Sequence, residues 1–342
     1  MDRILVIHRG SLGDFLLLTP ALALMKNRAR GCKIEALGRP EIHTLVVPKL
    51  IKATYSAERA LFLPVLENLE GIPPEAAAFF QQFEAVLAFV SDPAGNLERN
   101  LRRICVRHVL VRPPFPPENE RMHVALYLLN EVSSFLGQQT LGESSGNIPH
   151  VSEDIFAITE PELQEADSRL GRLGSPPVAL HPGSGSNQKC WSIQQFGACA
   201  RRLARNGRNM VWILGPADQR LKLTATALAK ETNSPIADSL PIRQVAALLS
   251  RCGAYVGNDS GVTHLAALSG VPTVAVFGPT DPAVWGPVGP NVRIIQAVPQ
   301  CGPCTRASMN RCSRRICFET LSANTVEKEL KKCYRRKDSL TS

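Results

Sequence analysis

The chain has 342 residues, 44% of them hydrophobic and 20% charged, with a net charge of +9. That length suits two domains of ordinary size, and the balance excludes a disordered chain. No run reaches the roughly 18 uninterrupted apolar residues of a membrane-spanning helix; the strongest stretch, FLLLTPALALM, is short and carries Thr19 and Pro20.

In chain order, RILVIH reads as a strand, RGSLGD as a turn, Asp14 to Arg28 as a helix and CKIEALG as a second strand. This pattern predicts parallel strands joined by a crossover helix. The opening MDRILVIHRG lacks a signal-peptide layout, because His8 and Arg9 interrupt the apolar run, so a cytoplasmic protein is expected. Further strands are predicted at Ala85 to Val90 and His108 to Arg112, then a Pro-rich loop and a helix beginning at His123. From Gly137 to Ser152 the composition turns to Gln, Gly, Ser, Asn and Pro, as in a linker. A helix capped by Thr159, with Pro161 in its first turn, follows. The strands VALH, NMVWIL, GAYVGN and TVAVF then each end in a turn rich in Gly or Asp, and SANTVEKELKKCYRRK reads as a basic amphipathic helix.

The expected architecture is α/β: two Rossmann-like domains with parallel sheets facing a central cleft, at residues 1–152 and 153–321, followed by a basic helix and tail at 322–342. In such sheets ligands bind beyond the carboxyl ends of the strands, where the polar turns lie.

The first turn, HRGSLGD, has GxxG spacing and not the GxGxxG of a dinucleotide site, which weighs against a dehydrogenase. Gly10 and Gly13 let the backbone turn tightly. Asp14 reads either as a helix N-cap or as a general base. In HPGSGSNQKCW, backbone N–H groups can cradle an anion that Lys189 neutralises, unless this is a flexible loop with a solvated lysine. Asp259 or Ser260 would cap a helix starting near Gly261, whose dipole favours an anion. An uncompensated Asp259 would repel a phosphate, so it is expected to orient N–H groups or contact a hydroxyl. His264 lies one turn into that helix. No D-x-D pair offers a carboxylate clamp for a divalent ion, so metal-free chemistry is expected.

Ten cysteines without an export signal favour reduced thiols or a metal site over disulfides. Cys301, Cys304, Cys312 and Cys317, spaced C-x2-C-x7-C-x4-C, are candidate ligands for structural zinc or iron, with packed reduced thiols as the alternative. The basic surplus points to an acidic partner or to no electrostatic purpose at all. With 6% aromatics and no nucleic-acid signature, no nucleic-acid partner is expected.

Together, ILVIHRGSLGDFLLLTPAL, VALHPGSGSNQKCWS, ILGPADQ and VGNDSGVTHLAALSGVPTVAVFGPTDP resemble glycosyltransferase family 9, the ADP-heptose:lipopolysaccharide heptosyltransferases, over roughly Arg3 to Leu321. The CGPC segment resembles the cysteine-bearing segment of many members. The resemblance implies a GT-B fold, with the acceptor mainly on the first domain and the nucleotide-sugar donor on the second. It also implies inverting transfer without a required cofactor.

By the same resemblance Asp14 is the base, beside the acceptor-side loop residues Ser11 and Gly13. Ser184 binds the donor, Lys189 contacts its diphosphate, and Asp259, Ser260, Gly261 and His264 wrap its phosphates and sugar. Asp218 or Gln219 contacts the nucleoside. Cys190 stands where members often carry a basic or other polar residue. The implied partners are a nucleotide-sugar, a phosphorylated glycolipid acceptor and an anionic inner-membrane surface, on which the C-terminal KKCYRRK would dock. A same-fold enzyme using another nucleotide-sugar or acceptor, and a non-catalytic nucleotide-sugar-binding protein, are the alternatives.

Overall fold

A computed structural model describes all residues except 30, 68–70, 141–147, 150–152, 172, 298–300 and 339–342. Most of the linker expected over residues 137–152, the boundary at 152 and the last four residues of the expected tail lie outside the described residues. The chain divides into two compact units, Met1–Ala157 and Ile158–Ser342. Among the described residues no helix is long and apolar enough to cross a membrane.

The first unit is built on five parallel strands: β1 (Arg3–His8), β2 (Lys33–Gly38), β3 (Ala53–Ser56), β4 (Ala85–Phe89) and β5 (His108–Arg112). Their order is β3-β2-β1-β4-β5. Central β1 is buried on both faces from Ile4 to His8, which explains its unbroken apolar run. The chain leaves β1 toward β2 and later returns to β4 on its other side, so the strand order reverses beside the carboxyl end of β1. Phe62, Phe80, Leu87 and Leu101 are buried in this unit.

The second unit carries six parallel strands: β6 (Val178–His181), β7 (Met210–Leu214), β8 (Ile236–Asp238), β9 (Ala254–Asn258), β10 (Thr273–Phe277) and β11 (Val292–Gln296). In the order β11-β10-β9-β6-β7-β8 the reversal falls between β6 and β9. Both units are therefore parallel α/β sheets, as the strand–helix alternation predicts. The basic Ala323–Asp338 helix is built into the second unit: Val326, Leu330 and Cys333 are buried in its core, and Glu327 accepts from Arg202 of the Ile193–Arg205 helix and from Asn206 at its C-cap. Trp191 Nε1 adds a hydrogen bond of 3.2 Å to Leu321 O.

Candidate active site

In the first unit β1 ends at His8, and Ser11 is the N-cap of the Leu12–Arg28 helix. Asp14 is not the cap residue but the third helical position, and its Oδ2 accepts from Ser11 N–H at 2.8 Å. This is the carboxylate arm of a capping box, with Asp in place of the commoner Glu or Gln. The carboxylate is half-buried; Gly13 is buried and Ser11 exposed. Gly10 is required by space: a Cβ there would lie 2.8 Å from His8 Cε1 and 3.0 Å from Asp14 Oδ2. Imidazole and carboxylate therefore flank one backbone turn.

His8 and a second histidine, His43, are both buried here. Burial pushes His8 down to about 4, and its Nδ1 has no hydrogen-bond partner among the described residues. Burial, then the charge of His8, pushes His43 down to about 4 as well. His43 Nδ1 lies 3.1 Å from Thr54 Oγ1, and Phe15 packs against both rings, at 5.8 and 4.5 Å between centroids.

The second unit gathers polar groups at the carboxyl ends of β6 and β9, where its strand order reverses. In open α/β sheets that is where ligands bind. Lys189 Nζ lies 2.8 Å from Asp259 Oδ2, which also accepts from Thr280 Oγ1 at 2.7 Å. Asp259 is thus compensated, and Lys189 is a paired, three-quarters-buried cation and not a solvated one. Ser184 Oγ donates to Asp259 O at 2.6 Å, joining the two turns.

Asn258 clamps them further: its Oδ1 accepts from Trp191 N–H at 2.9 Å and its Nδ2 donates to Pro182 O at 2.9 Å. Ser260 is the N-cap of the Gly261–Leu268 helix, accepting from Thr263 N–H at 3.4 Å. The N–H groups of Gly261 and Val262 point past the helix start, as the first N–H groups of any helix do. His264 is buried one turn in.

Asp218 and Gln219 part company. Asp218 is buried, receiving Gly215 N–H at 2.7 Å and facing His181 Nε2 at 3.3 Å. Burial acts to raise its carboxyl, but the hydrogen bonds from His181 and Gly215 N–H outweigh it, so the carboxyl lies below its ordinary value. Gln219 beside it is exposed. Of the two, only the amide is open to solvent.

A model of the family described as glycosyltransferase family 9 (heptosyltransferase) matches residues 137–312, just over half of the 342. The chain belongs to glycosyltransferase family 9. Lipopolysaccharide heptosyltransferase 1 of Pseudomonas aeruginosa is 25% identical over 181 residues, 53% of this chain and 48% of that relative. The chain spans about half the length of the first curated relatives it matches. A longer alignment, 23% identical, covers 82% of this chain and 83% of lipopolysaccharide heptosyltransferase 3 of Escherichia coli K12.

Among solved structures, the family 9 glycosyltransferase of Veillonella parvula superposes with a TM-score of 0.78 at 18% identity, covering 98% of each chain. The dodecameric iron-containing heptosyltransferase TibC, solved with ADP-D-β-D-heptose, superposes at 0.58 and 13% identity, covering 98% of this chain and 76% of that one. At these identities the likeness is one of fold, the GT-B fold.

In this family 9 chain the cysteine segment straps the turns after β6 and β10. Cys304 N–H donates to Pro279 O at 2.7 Å, Gln188 Nε2 to Cys312 O at 3.2 Å, and Arg315 Nη1 to Asn187 O and Cys190 O, both at 3.0 Å. Cys301, Cys304, Cys312 and Cys317 line one cavity. Burial, then the neighbouring thiols, pushes Cys317 up to about 11. Among the described residues, however, no three His, Cys, Asp or Glu side chains are grouped so as to hold a metal ion. Cys190 is buried and its sulfur receives Arg220 Nη2 at 3.2 Å. Sequence reasoning passed over His181, Asn258, Thr263 and Thr280. His181 and Asn258 stand inside the quoted turns, and their position at strand ends was the signal available.

Proposed function

We propose that this chain transfers heptose from ADP-heptose to the lipopolysaccharide inner core, with inversion and without a metal in the chemistry. The observation that carries the reading is the arrangement at the ends of β6 and β9. A lysine balanced by a buried carboxylate stands beside an anion-ready helix start, the donor set a leaving diphosphate needs. Membership of family 9 and the names of the relatives support the sugar and the acceptor class.

In this mechanism Asp14 accepts the proton of the acceptor hydroxyl as that oxygen attacks the anomeric carbon from the face opposite the nucleotide. Its second carboxylate oxygen is left for that proton, because Ser11 N–H engages only Oδ2. The sugar gains oxocarbenium character, and Lys189 with the Gly261 and Val262 N–H groups takes up the charge growing on the diphosphate. Lys189 would exchange Asp259 for phosphate oxygens, leaving Asp259, still held by Thr280, to accept from a sugar hydroxyl. Ser184 and His264 complete the donor side, and Ser11 and Gly13 shape the acceptor side. Asp218, turned inward, acts on the nucleoside only through the turn it holds, and Gln219 is its direct contact. The exposed Lys328, Lys331 and Lys332 on the last helix suit a phosphorylated glycolipid at the inner face of the cytoplasmic membrane.

The test is sugar transfer from ADP-heptose to a truncated lipopolysaccharide core, in the presence of EDTA, with Asp14→Asn as control. Turnover by the wild type, lost in the variant while ADP still binds, is the expected result. Unchanged turnover in the variant removes the base, and absence of ADP binding to the wild type removes the reading itself. Because the nucleoside falls to an amide and not a carboxylate, UDP- and GDP-sugars belong in the same assay; preference for either favours the same-fold alternative.

For the cysteine cavity, a four-thiol donor set suits zinc or iron, and TibC is iron-containing. The thiols share a cavity but, among the described residues, are not grouped for ligation; we propose a structural metal that would draw them together, outside every step of transfer. Elemental analysis of the purified chain checks it: about one zinc or iron per chain is expected, and none overturns it.

A further inference from the structure

His181 closes β6 at the point where the strand order reverses, and both of its ring nitrogens are engaged. Nε2 faces Asp218 Oδ2 and Nδ1 faces Ser260 Oγ, each at 3.3 Å, and all three side chains are buried. A carboxylate only accepts, so Nε2 carries the proton shared with Asp218; in the neutral ring Nδ1 is then an acceptor, and the Ser260 hydroxyl donates to it. The Ser260 oxygen also accepts from Thr263 N–H, the bond that caps the helix, and lies 3.1 Å from Thr263 Oγ1.

Space enforces the same arrangement. A Cβ on Gly183 would lie 2.0 Å from Asp218 Oδ1, so the turn after β6 is wrapped around this carboxylate. Asp218 is held in turn by Gly215 N–H. The chain Asp218–His181–Ser260 thus runs from the turn after β7, through the end of β6, to the first turn of the helix after β9.

The trio has the composition of a hydrolytic triad but not its work: the serine hydroxyl is a buried helix cap. We infer that His181 is a positioning residue of the donor site, fixing the direction of the Ser260 hydroxyl, and that Asp218 fixes His181. The cap so set keeps the Gly261 and Val262 N–H groups aimed at the diphosphate. This inference rests on the donor-binding reading of this helix start.

Two isosteric substitutions divide the chain. His181→Gln keeps an amide N–H at the Nε2 position for Asp218 and has no atom to meet Ser260. His181→Asn keeps an amide at the Nδ1 position for Ser260 and leaves Asp218 without its imidazole partner. ADP affinity of the purified chain is measured by calorimetry and stability by thermal unfolding, for both variants, Ser260→Ala and His181→Gln/Ser260→Ala.

Affinity is expected to fall about tenfold in His181→Gln and in Ser260→Ala, with no further fall in the double variant, because both break the same link. His181→Asn is expected to melt lower than His181→Gln yet bind ADP more tightly than it. Additive losses in the double variant, an unchanged affinity in His181→Gln, or affinity that follows melting temperature across the two histidine variants overturns the inference. If His181→Asn does not fold, the Gln and Ala variants and their double decide alone. A wild type that does not bind ADP overturns the donor reading and not the coupling.

Discussion

The two strand-to-helix turns that carry the candidate chemistry are built in opposite ways. After β1, Asp14 is held by a single backbone N–H, and the neighbouring His8 has a ring nitrogen with no partner among the described residues. At the turns after β6, β9 and β10 polar side chains are tied from one turn to another: Lys189 and Thr280 to Asp259, Ser184 to the Asp259 carbonyl, Asn258 to Trp191 and Pro182. A base must be free to gain a proton, so it has few bonds. A site that stabilises growing charge works best when its dipoles are already fixed. The sparse turn suits the first role and the dense turn the second.

The largest effect that tests this contrast is at Asp14. Asp14→Asn is expected to lower turnover by about 10²–10⁴-fold, with melting and ADP affinity nearly unchanged; a parallel loss of ADP affinity would show that the sparse turn also binds donor.

Next is Gly183→Ala, which drives a methyl group into the Asp218 carboxylate. Overpacking of this kind costs about 1–3 kcal/mol. Chemical denaturation followed by tryptophan fluorescence reads it, since Trp191, Trp212 and Trp285 all belong to the second unit.

Acid then separates the units. His8 and His43 are held neutral, with values near 4 against an ordinary 6.5, so they bind fewer protons folded than unfolded. The stability they contribute is fully present above about pH 6.5 and is lost as the pH falls toward 4, by up to about 1.4 kcal/mol per pH unit for each ring. In the second unit the depressed groups are carboxylates, among them Asp218, and Glu162, held down to about 2 chiefly by its hydrogen bond from Arg243. Their contribution is lost only below about pH 4. Hydrogen exchange at pH 5 is expected to rise in β1 and β2 while tryptophan fluorescence holds; equal protection in both units removes the distinction.

The smallest effect is at the strap. Arg315→Ala frees the Asn187 and Cys190 carbonyls that bracket Lys189. An exposed guanidinium contributes under about 1 kcal/mol, so ADP affinity should fall only a few-fold, without loss of fold. A larger loss would make the strap part of the dense network.

What was legible in the sequence follows burial. Central β1, β4, β6, β7, β9 and β10 are covered on both faces, which writes itself as continuous apolar runs. The short ATYS of β3, the IAD of β8 and the VRIIQ of β11 lie at or near sheet edges, are partly exposed and carry no such run, so they were not anticipated. The turns were legible because glycine, serine and aspartate after a strand have few other uses. Their partners were not: His181 meets residues 37 and 79 positions away, and only the folded chain decides such pairings. Asp14 shows the limit inside a single turn, since the spacing alone left it between cap and base, and the structure puts it at the third helical position.

The last helix also has a consequence for biosynthesis. Val326, Leu330 and Cys333 fill the core that begins with Val178 of β6. On a ribosome adding roughly 5–20 residues per second, that core stays open until residues as late as Cys333 have emerged, on the order of ten seconds after β6. The first unit has all of its strands by then. Newly made β6 and β7, apolar and unpaired on one side, are therefore the surfaces in most need of a chaperone while the protein is being made.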